Sequence, residues 1–404
     1  MINKIKGYFA MNKYTVIQNG VIYTPTQVID DGILIYAGNR ILAIGQRGRM
    51  PKPTGRPIEV IDAGGNLICP GFIDQHLHGG GGADTMDHNY EAINTIAKTH
   101  AKFGVTALCP ATMAAPDVDM KKALAAVADA VERGTGGAKV LGAHIEGPCM
   151  NVDARGAHPE EYVKLAPPTL DRLRDYYKAS RGTIRIWTMA PELPGGLDFI
   201  KAACKLKIKI SIGHTKASVN DINKAIDAGA TGATHLFNAM SGFHYRDAGG
   251  AMAILLSNGR LMAEIVADGE HVHPLSIELA LKVMKPENMV LMTDCMRPAG
   301  MPSMTTFDLP GLKVFVKDGR ALTADGKLCG SLLTLNRGVK NINEMLGRPL
   351  PEAIALATIN PARSLGIADQ KGSLEIGKDA DIVICDTFMK VHRTIVEGVT
   401  VYAN

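Results

Sequence analysis

Eight apolar runs, each finishing in a polar group and separated by helix-period segments, constrain the fold more than any other feature of this chain. The runs lie at 68–73, 104–107, 140–143, 184–188, 209–212, 232–234, 262–266 and 289–292. Between them stand helical patterns, among them 90–103, 117–133, 169–180, 198–206, 219–228 and 274–284. Strands that alternate with helices call for a parallel sheet, and continuous rather than alternating hydrophobicity predicts strands covered on both faces. The expected class is therefore α/β, a (β/α)8 TIM-type barrel whose chemistry gathers at the carboxyl ends of its strands.

The first of these ends carries the most informative motif. In Ile73-Asp74-Gln75-His76-Leu77-His78-Gly79-Gly80-Gly81-Gly82, residues i and i+2 of an extended chain point to one side, so His76 and His78 offer two imidazoles to one metal ion. The glycines that follow let the backbone turn sharply and leave the ion open to substrate, as in a catalytic rather than a structural site. Taken alone, the pair reads equally as two surface histidines on a polar loop. Its weight comes from the other runs, which end in His144-Ile145-Glu146, Glu192, His214, His235, Asp268 to His271, and Asp294.

Outside the barrel the pattern changes. Segments 14–20, 32–36, 40–45 and 59–62 near the start, and 380–386 and 391–402 near the end, read as short strands separated by Gly and Asp turns. A lone tail of two or three strands is unstable, so the two ends are expected to pair into one small β-sandwich. That divides the chain into 1–65 and 369–404 as the two parts of the sandwich, with the barrel at 66–368 between them. Residues 1–10 read as an extension without ordered structure, with Met11 as an alternative start.

A chain of 404 residues that is 46% hydrophobic can bury one large core and carry such an extra domain. Its net charge of +4 is slight and no Lys/Arg block stands out, so neither nucleic acid nor a membrane surface is an expected partner. Seven cysteines, an odd number without a CxxC pair, point to reduced thiols and a cytoplasmic protein.

PGFIDQHLHG, HIEGP with a following Arg155-Gly156-Ala157-His158, GHT, ATHLFNAM, ADGEHVHP and MTD together resemble the amidohydrolase superfamily, and within it the N-acetylglucosamine-6-phosphate deacetylases. The likeness runs from about residue 19 to 404. It implies that Glu146, His214 and His235 ligate a catalytic divalent ion, zinc first, with iron, manganese or cobalt also accepted by such donors. Family members differ at the first pair. Retention of His76 and His78 implies capacity for a second ion, with Glu146 as a bridge.

The resemblance also implies that a metal-bound hydroxide attacks the acetamido carbonyl while Asp294 acts as general base and then acid. His158 is implied on the oxyanion side, with Asn238, Ala239, Leu328 and Gly330 around the sugar. Arg246 and His271 are implied phosphate partners, one of them supplied across a homodimer interface, which makes a phosphorylated amino sugar the expected ligand. His144, His244 and His273 are left without a task.

Departures at Cys149, Cys295 to Phe307 and Cys329 are expected to touch the pocket wall, which makes the sugar less certain than the chemistry. N-acetylgalactosamine 6-phosphate is the nearest rival substrate. An amidohydrolase acting on an unphosphorylated amide, and a non-catalytic sugar-sensing barrel, are the wider alternatives.

Overall fold

Parallel strands close into a barrel in the computed structural model, which describes residues 13–50, 53–164, 166–301 and 304–404. The expectations about residues 1–10 and Met11 lie outside the described residues. Among the described residues the barrel has eight strand positions. They are Phe72–Leu77, Val105–Pro110, an interrupted third strand (Lys139–Val140 and Ala143–Glu146), Ile184–Met189, Lys209–Ile212, Gly232–Ala233, Met262–Val266 and Met289–Met292.

Neighbours pair in parallel around the ring, the second strand meeting the third through Lys139–Val140 and again at an isolated Ala111–His144 bridge. The ring shuts where Asp294 N donates to His76 O at 2.9 Å and Thr293 Oγ1 to Asp74 Oδ2 at 2.6 Å.

Helices on the outside follow the expected segments closely: Tyr90–Ala101, Asp117–Arg133, Leu170–Ala179, Gly196–Lys205, Val219–Ala228 and Pro274–Met284. Their starts are set by short polar side chains that satisfy otherwise unpaired N–H groups. Asn89 accepts from Ala92 N, Thr169 from Arg172 N, and Ser218 forms a reciprocal box with Asp221. Between barrel and helices, Trp187 stacks on Tyr176 (5.6 Å between ring centres) and meets Phe199 edge-on at 4.8 Å, all three fully buried. No helix among the described residues is long and apolar enough to cross a membrane.

The run at 68–73 is two strands, not one. Leu67–Pro70 pairs antiparallel with Ile382–Cys385 and in parallel with Tyr14–Tyr23, so it belongs to the terminal sheet, and the barrel begins at Phe72. The chain crosses between the two bodies through Gly71, whose N–H donates to Asp381 O at 2.9 Å. A Cβ there would lie 2.1 Å from Thr106 Oγ1, so only glycine passes.

The terminal strands form one eight-stranded hydrogen-bonded sheet that curls around its own core of Ile17, Ile22, Leu34, Ile41, Ile68, Ile382 and Ile395. Segment 391–402 is a hairpin, Val391–Val396 and Val399–Ala403. Lys371, buried beside this sheet, binds Asp379, Asp381 and Glu397 at 2.8, 2.7 and 3.2 Å and so ties the segment before the last strands to the turn between them. A three-stranded insertion, Thr306–Leu309, Leu312–Lys317 and Arg320–Thr323, follows the eighth barrel strand and was not expected.

His100, on the helix behind the Gly79–Gly80 turn, is fully buried with Nε2 2.9 Å from Gly79 O. Burial pushes its pKa down to about 4. An unfolded chain takes up this proton near pH 6.5, so between pH 6.5 and about 4 unfolding gains a proton and stability falls on acidification. The loss is about 1.4 kcal/mol per pH unit for one group. Urea unfolding from pH 7 to 5 should therefore be steeper in pH for the wild type than for His100→Gln, and identical slopes would remove His100 as the cause.

Candidate metal and substrate site

Strand ends one, three, five, six and eight bring His76, His78, Glu146, His214, His235 and Asp294 to the carboxyl mouth of the barrel. The backbone bends sharply to do it. His214, His235 and Asp294 hold φ of 49°, 30° and 50°, a region that non-glycine residues seldom occupy and that costs energy the surrounding fold must offset. Beyond His214 the turn is clamped by Glu192, which accepts from Thr215 Oγ1 (2.6 Å), Lys216 N (2.7 Å) and Asn151 Nδ2 (2.9 Å).

Glu146 sits at the centre. Its Oε1 lies 3.3 Å from His214 Nε2 and 3.0 Å from His235 Nε2, and those two nitrogens are 3.0 Å apart. Ligands about 2.0–2.1 Å from a tetrahedral cation are separated by roughly 3.3 Å, so these three atoms have the spacing of a coordination sphere. His214 Nδ1 donates to Ala154 O at 2.9 Å, which leaves the Nε2 lone pair facing inward.

Glu146 Oε2 turns the other way, 3.0 Å from His78 Nε2, which is also 3.2 Å from Asp294 Oδ1. His76 Nε2 stands 3.4 Å from Glu146 Oε1 and 3.6 Å from Asp294 Oδ1, buried and without a hydrogen-bond partner. The donors fit two adjacent divalent ions that share Glu146.

A third cluster, His76 with His144 and Glu264, does not fit one. Both nitrogens of His144 are engaged, Nδ1 with Gln75 O at 3.0 Å and Nε2 with Thr188 Oγ1 at 2.8 Å, and burial pushes its pKa down to about 3.

Burial opposes charge in this site and pushes the His214 pKa down to about 4, yet at Glu146, Asp294, His76 and His78 the opposite charges outweigh it. Against burial, His76 and the facing histidines hold Glu146 well below the usual carboxylate range, and His78 and His76 do the same for Asp294. Against burial likewise, Asp294 and Glu146 raise His78 to about 9. Both acids are thus ionised at neutral pH. Without a cation the outer histidines carry protons, so a divalent ion entering there displaces them.

A cavity of about 170 Å³ opens over these groups. It is lined by His78, Glu146, His158, His214, His235, Asn238, Ala239, His271, Asp294, Leu328 and Gly330, together with Met113, Gly156, Ala157, Met296 and Cys329. Ala114 N donates to His158 Nδ1 at 3.1 Å, which puts the His158 proton on Nε2, the nitrogen 3.6 Å from Glu146 Oε2. His271 Nδ1 meets Asp268 Oδ2 at 2.6 Å, and this bond outweighs burial to raise the imidazole's pKa. Gly330 has φ 59°, and a Cβ on it would fall 2.5 Å from Met296 Sδ and 2.8 Å from Asp294 O, so glycine lets this loop approach the acid.

Arg246 is not among the lining residues. It is exposed, with its guanidinium 5.0 Å from the Tyr245 ring. Of the departures expected to touch the wall, Cys329 and Met296 do. Cys149 and Cys295 do not: Cys149 is fully buried in the barrel core, and Cys295 Sγ points away to Gly79 O at 3.3 Å.

Sequence reasoning gave no role to Asp74 or Glu264, and marked Glu192 only as the polar end of its run. A usable signal existed for Glu264, an acid in the middle of the apolar run Met262–Val266, where a buried charge needs a purpose.

A sequence profile described as the amidohydrolase family matches residues 67–401. An N-acetylglucosamine-6-phosphate deacetylase of Vibrio furnissii is 38% identical over 347 residues, covering 86% of each chain. An N-acetylgalactosamine-6-phosphate deacetylase of Escherichia coli O157:H7 is 37% identical over 85% of this chain and 89% of its own. Among solved structures, a mutant N-acetyl-D-glucosamine-6-phosphate deacetylase of Mycobacterium smegmatis in complex with N-acetyl-D-glucosamine-6-phosphate superposes with a TM-score of 0.88 at 29% identity, over 97% of this chain and all of that one.

Proposed function

The chain belongs to the amidohydrolase family, and on that footing we propose that it removes the N-acetyl group from N-acetylglucosamine 6-phosphate, giving glucosamine 6-phosphate and acetate. The observation that carries this reading is Glu146 held between the His214/His235 pair and His78, with Asp294 alongside. In this assignment Glu146, His214 and His235 hold one divalent ion, zinc first, and His76, His78 and Glu146 a second. Such an ion, when bound, acidifies water and polarises a carbonyl.

The protein's own groups do the rest. Asp294, ionised and acceptor-only, takes the proton of the attacking water and returns it to the departing amine. His158 Nε2–H donates to the carbonyl oxygen as charge builds there, and the Ala114 N–H keeps that tautomer in place. His271, whose pKa the bond to Asp268 raises, is assigned to the phosphate end of the cavity.

Arg246 serves that phosphate in a neighbouring copy, which makes the working unit a homodimer. Support comes from its loop, where Phe243 and Tyr245 are 60% and 78% exposed, and from the helix Pro274–Met284, whose Leu275, Leu279 and Val283 form an exposed apolar stripe. A cytoplasmic setting is part of the same reading, as free cysteines persist in reducing compartments.

The relative from Escherichia coli keeps N-acetylgalactosamine 6-phosphate as the second reading, less favoured because more of the similar proteins act on the glucosamine epimer. The test is acetate release after chelator stripping and zinc addition, on both 6-phosphates and on unphosphorylated N-acetylglucosamine. The highest kcat/KM is expected for N-acetylglucosamine 6-phosphate, and equal rates with and without phosphate would sink the reading. Arg246→Ala should raise KM for the phosphorylated sugar roughly 10- to 100-fold, the worth of one charge-assisted hydrogen bond, and leave the unphosphorylated one unchanged.

A further inference from the structure

Glu264 has no part in the reaction described above, yet it places a carboxyl group inside the barrel at 1% exposure. Its Oε2 lies 3.0 Å from His76 Nδ1, and its Oε1 accepts from Gln75 Nε2 at 2.6 Å. We propose that Glu264 is the positioning residue that commits His76 to bind the second divalent ion through Nε2, an inference that rests on the two-ion reading above.

An ionised carboxylate only accepts hydrogen bonds, so a neutral His76 beside it carries its proton on Nδ1 and its lone pair on Nε2. That Nε2 is the buried atom with no hydrogen-bond partner, aimed between Glu146 Oε1 at 3.4 Å and Asp294 Oδ1 at 3.6 Å. The opposite tautomer would set a lone pair against the carboxylate.

His78 lacks such a partner, for its Nδ1 is buried with none. The ring of His78 is therefore oriented from the cation side alone, whereas His76 is anchored from behind before any ion arrives. A carboxylate behind a ligating imidazole also makes it a stronger donor, and removing such a partner typically lowers metal affinity about 10- to 100-fold.

Equilibrium dialysis of chelator-stripped protein against zinc, followed by elemental analysis, tests the assignment without reference to activity. The wild type should take up two ions. Glu264→Gln, close in shape but uncharged, should keep the ion of Glu146, His214 and His235 at wild-type affinity and bind the second about 10- to 100-fold more weakly.

Two ions of unchanged affinity in the variant would overturn the role of Glu264 and leave the two-ion reading standing. A single ion in the wild type would overturn both. Should Glu264→Gln fail to fold, nitrogen-15 NMR of the wild type loaded with cadmium-113 decides the matter. Coupling of the metal to Nε2 of His76 with a proton on Nδ1 supports the assignment, and coupling to Nδ1 ends it.

Discussion

Asp294→Asn is expected to lose about 10³-fold or more in kcat while metal content and KM stay near wild type. The geometry separates the two effects. Asp294 lies at the edge of the donor cluster, 3.2 Å from His78 and 3.6 Å from His76, while His214, His235 and Glu146 make their own close set. Asparagine keeps an acceptor oxygen at the same place and loses the capacity to take up a proton. Because opposite charges hold the aspartate pKa far below neutrality, the base form is fully present across the working pH range. A stopped assay on zinc-loaded protein, with zinc measured on the same sample, checks it. A kcat within tenfold of wild type would remove Asp294 from the proton transfer.

Glu146→Ala should do more, taking away bound metal and activity together. One oxygen of this side chain faces His214 and His235 and the other faces His78, so its loss removes the carboxylate that both groups share. What remains is the His214/His235 pair without a carboxylate, and His76 and His78 with Asp294 at the edge, too few donors to hold a cation in a buried site. Zinc should fall below about a tenth of an equivalent, and stabilisation by zinc should vanish. A ligand at about 1,000 times its Kd stabilises the folded state by about 4 kcal/mol, several degrees in melting temperature, which the variant would forgo. Full zinc content in Glu146→Ala would show that the histidines alone hold the ion.

Much of this was legible in the sequence because barrel strands end where their apolar runs end. His76, His78, Glu146, His214, His235 and Asp294 are each the polar residue at such an end, and period-two alternation placed the first two on one side of the chain. The split of 68–73 was less visible, although Pro70-Gly71 is a turn signal in the middle of it. Continuous hydrophobicity masked a change of sheet, since Leu67–Pro70 and Phe72–Leu77 are buried on all sides alike.

Other features leave no trace in spacing. The tautomer of His158 depends on a backbone N–H some forty residues away, and Glu264 meets His76 across the barrel from 188 positions on. Arg246 shows the opposite failure: the resemblance implies it as a phosphate partner, but the chain alone does not bring it to the pocket.

The curled terminal sheet bears on how the chain is made. Leu67–Pro70 leaves the ribosome early, while its partner Ile382–Cys385 follows about three hundred residues later, a delay of roughly 15 to 60 s at ordinary translation speed. For that interval a short apolar strand edge has no neighbour to cover it and is open to pairing with another nascent chain. Slowing synthesis within the barrel should therefore raise the yield of aggregate, whereas supplying residues 369–404 as a separate polypeptide during synthesis should lower it.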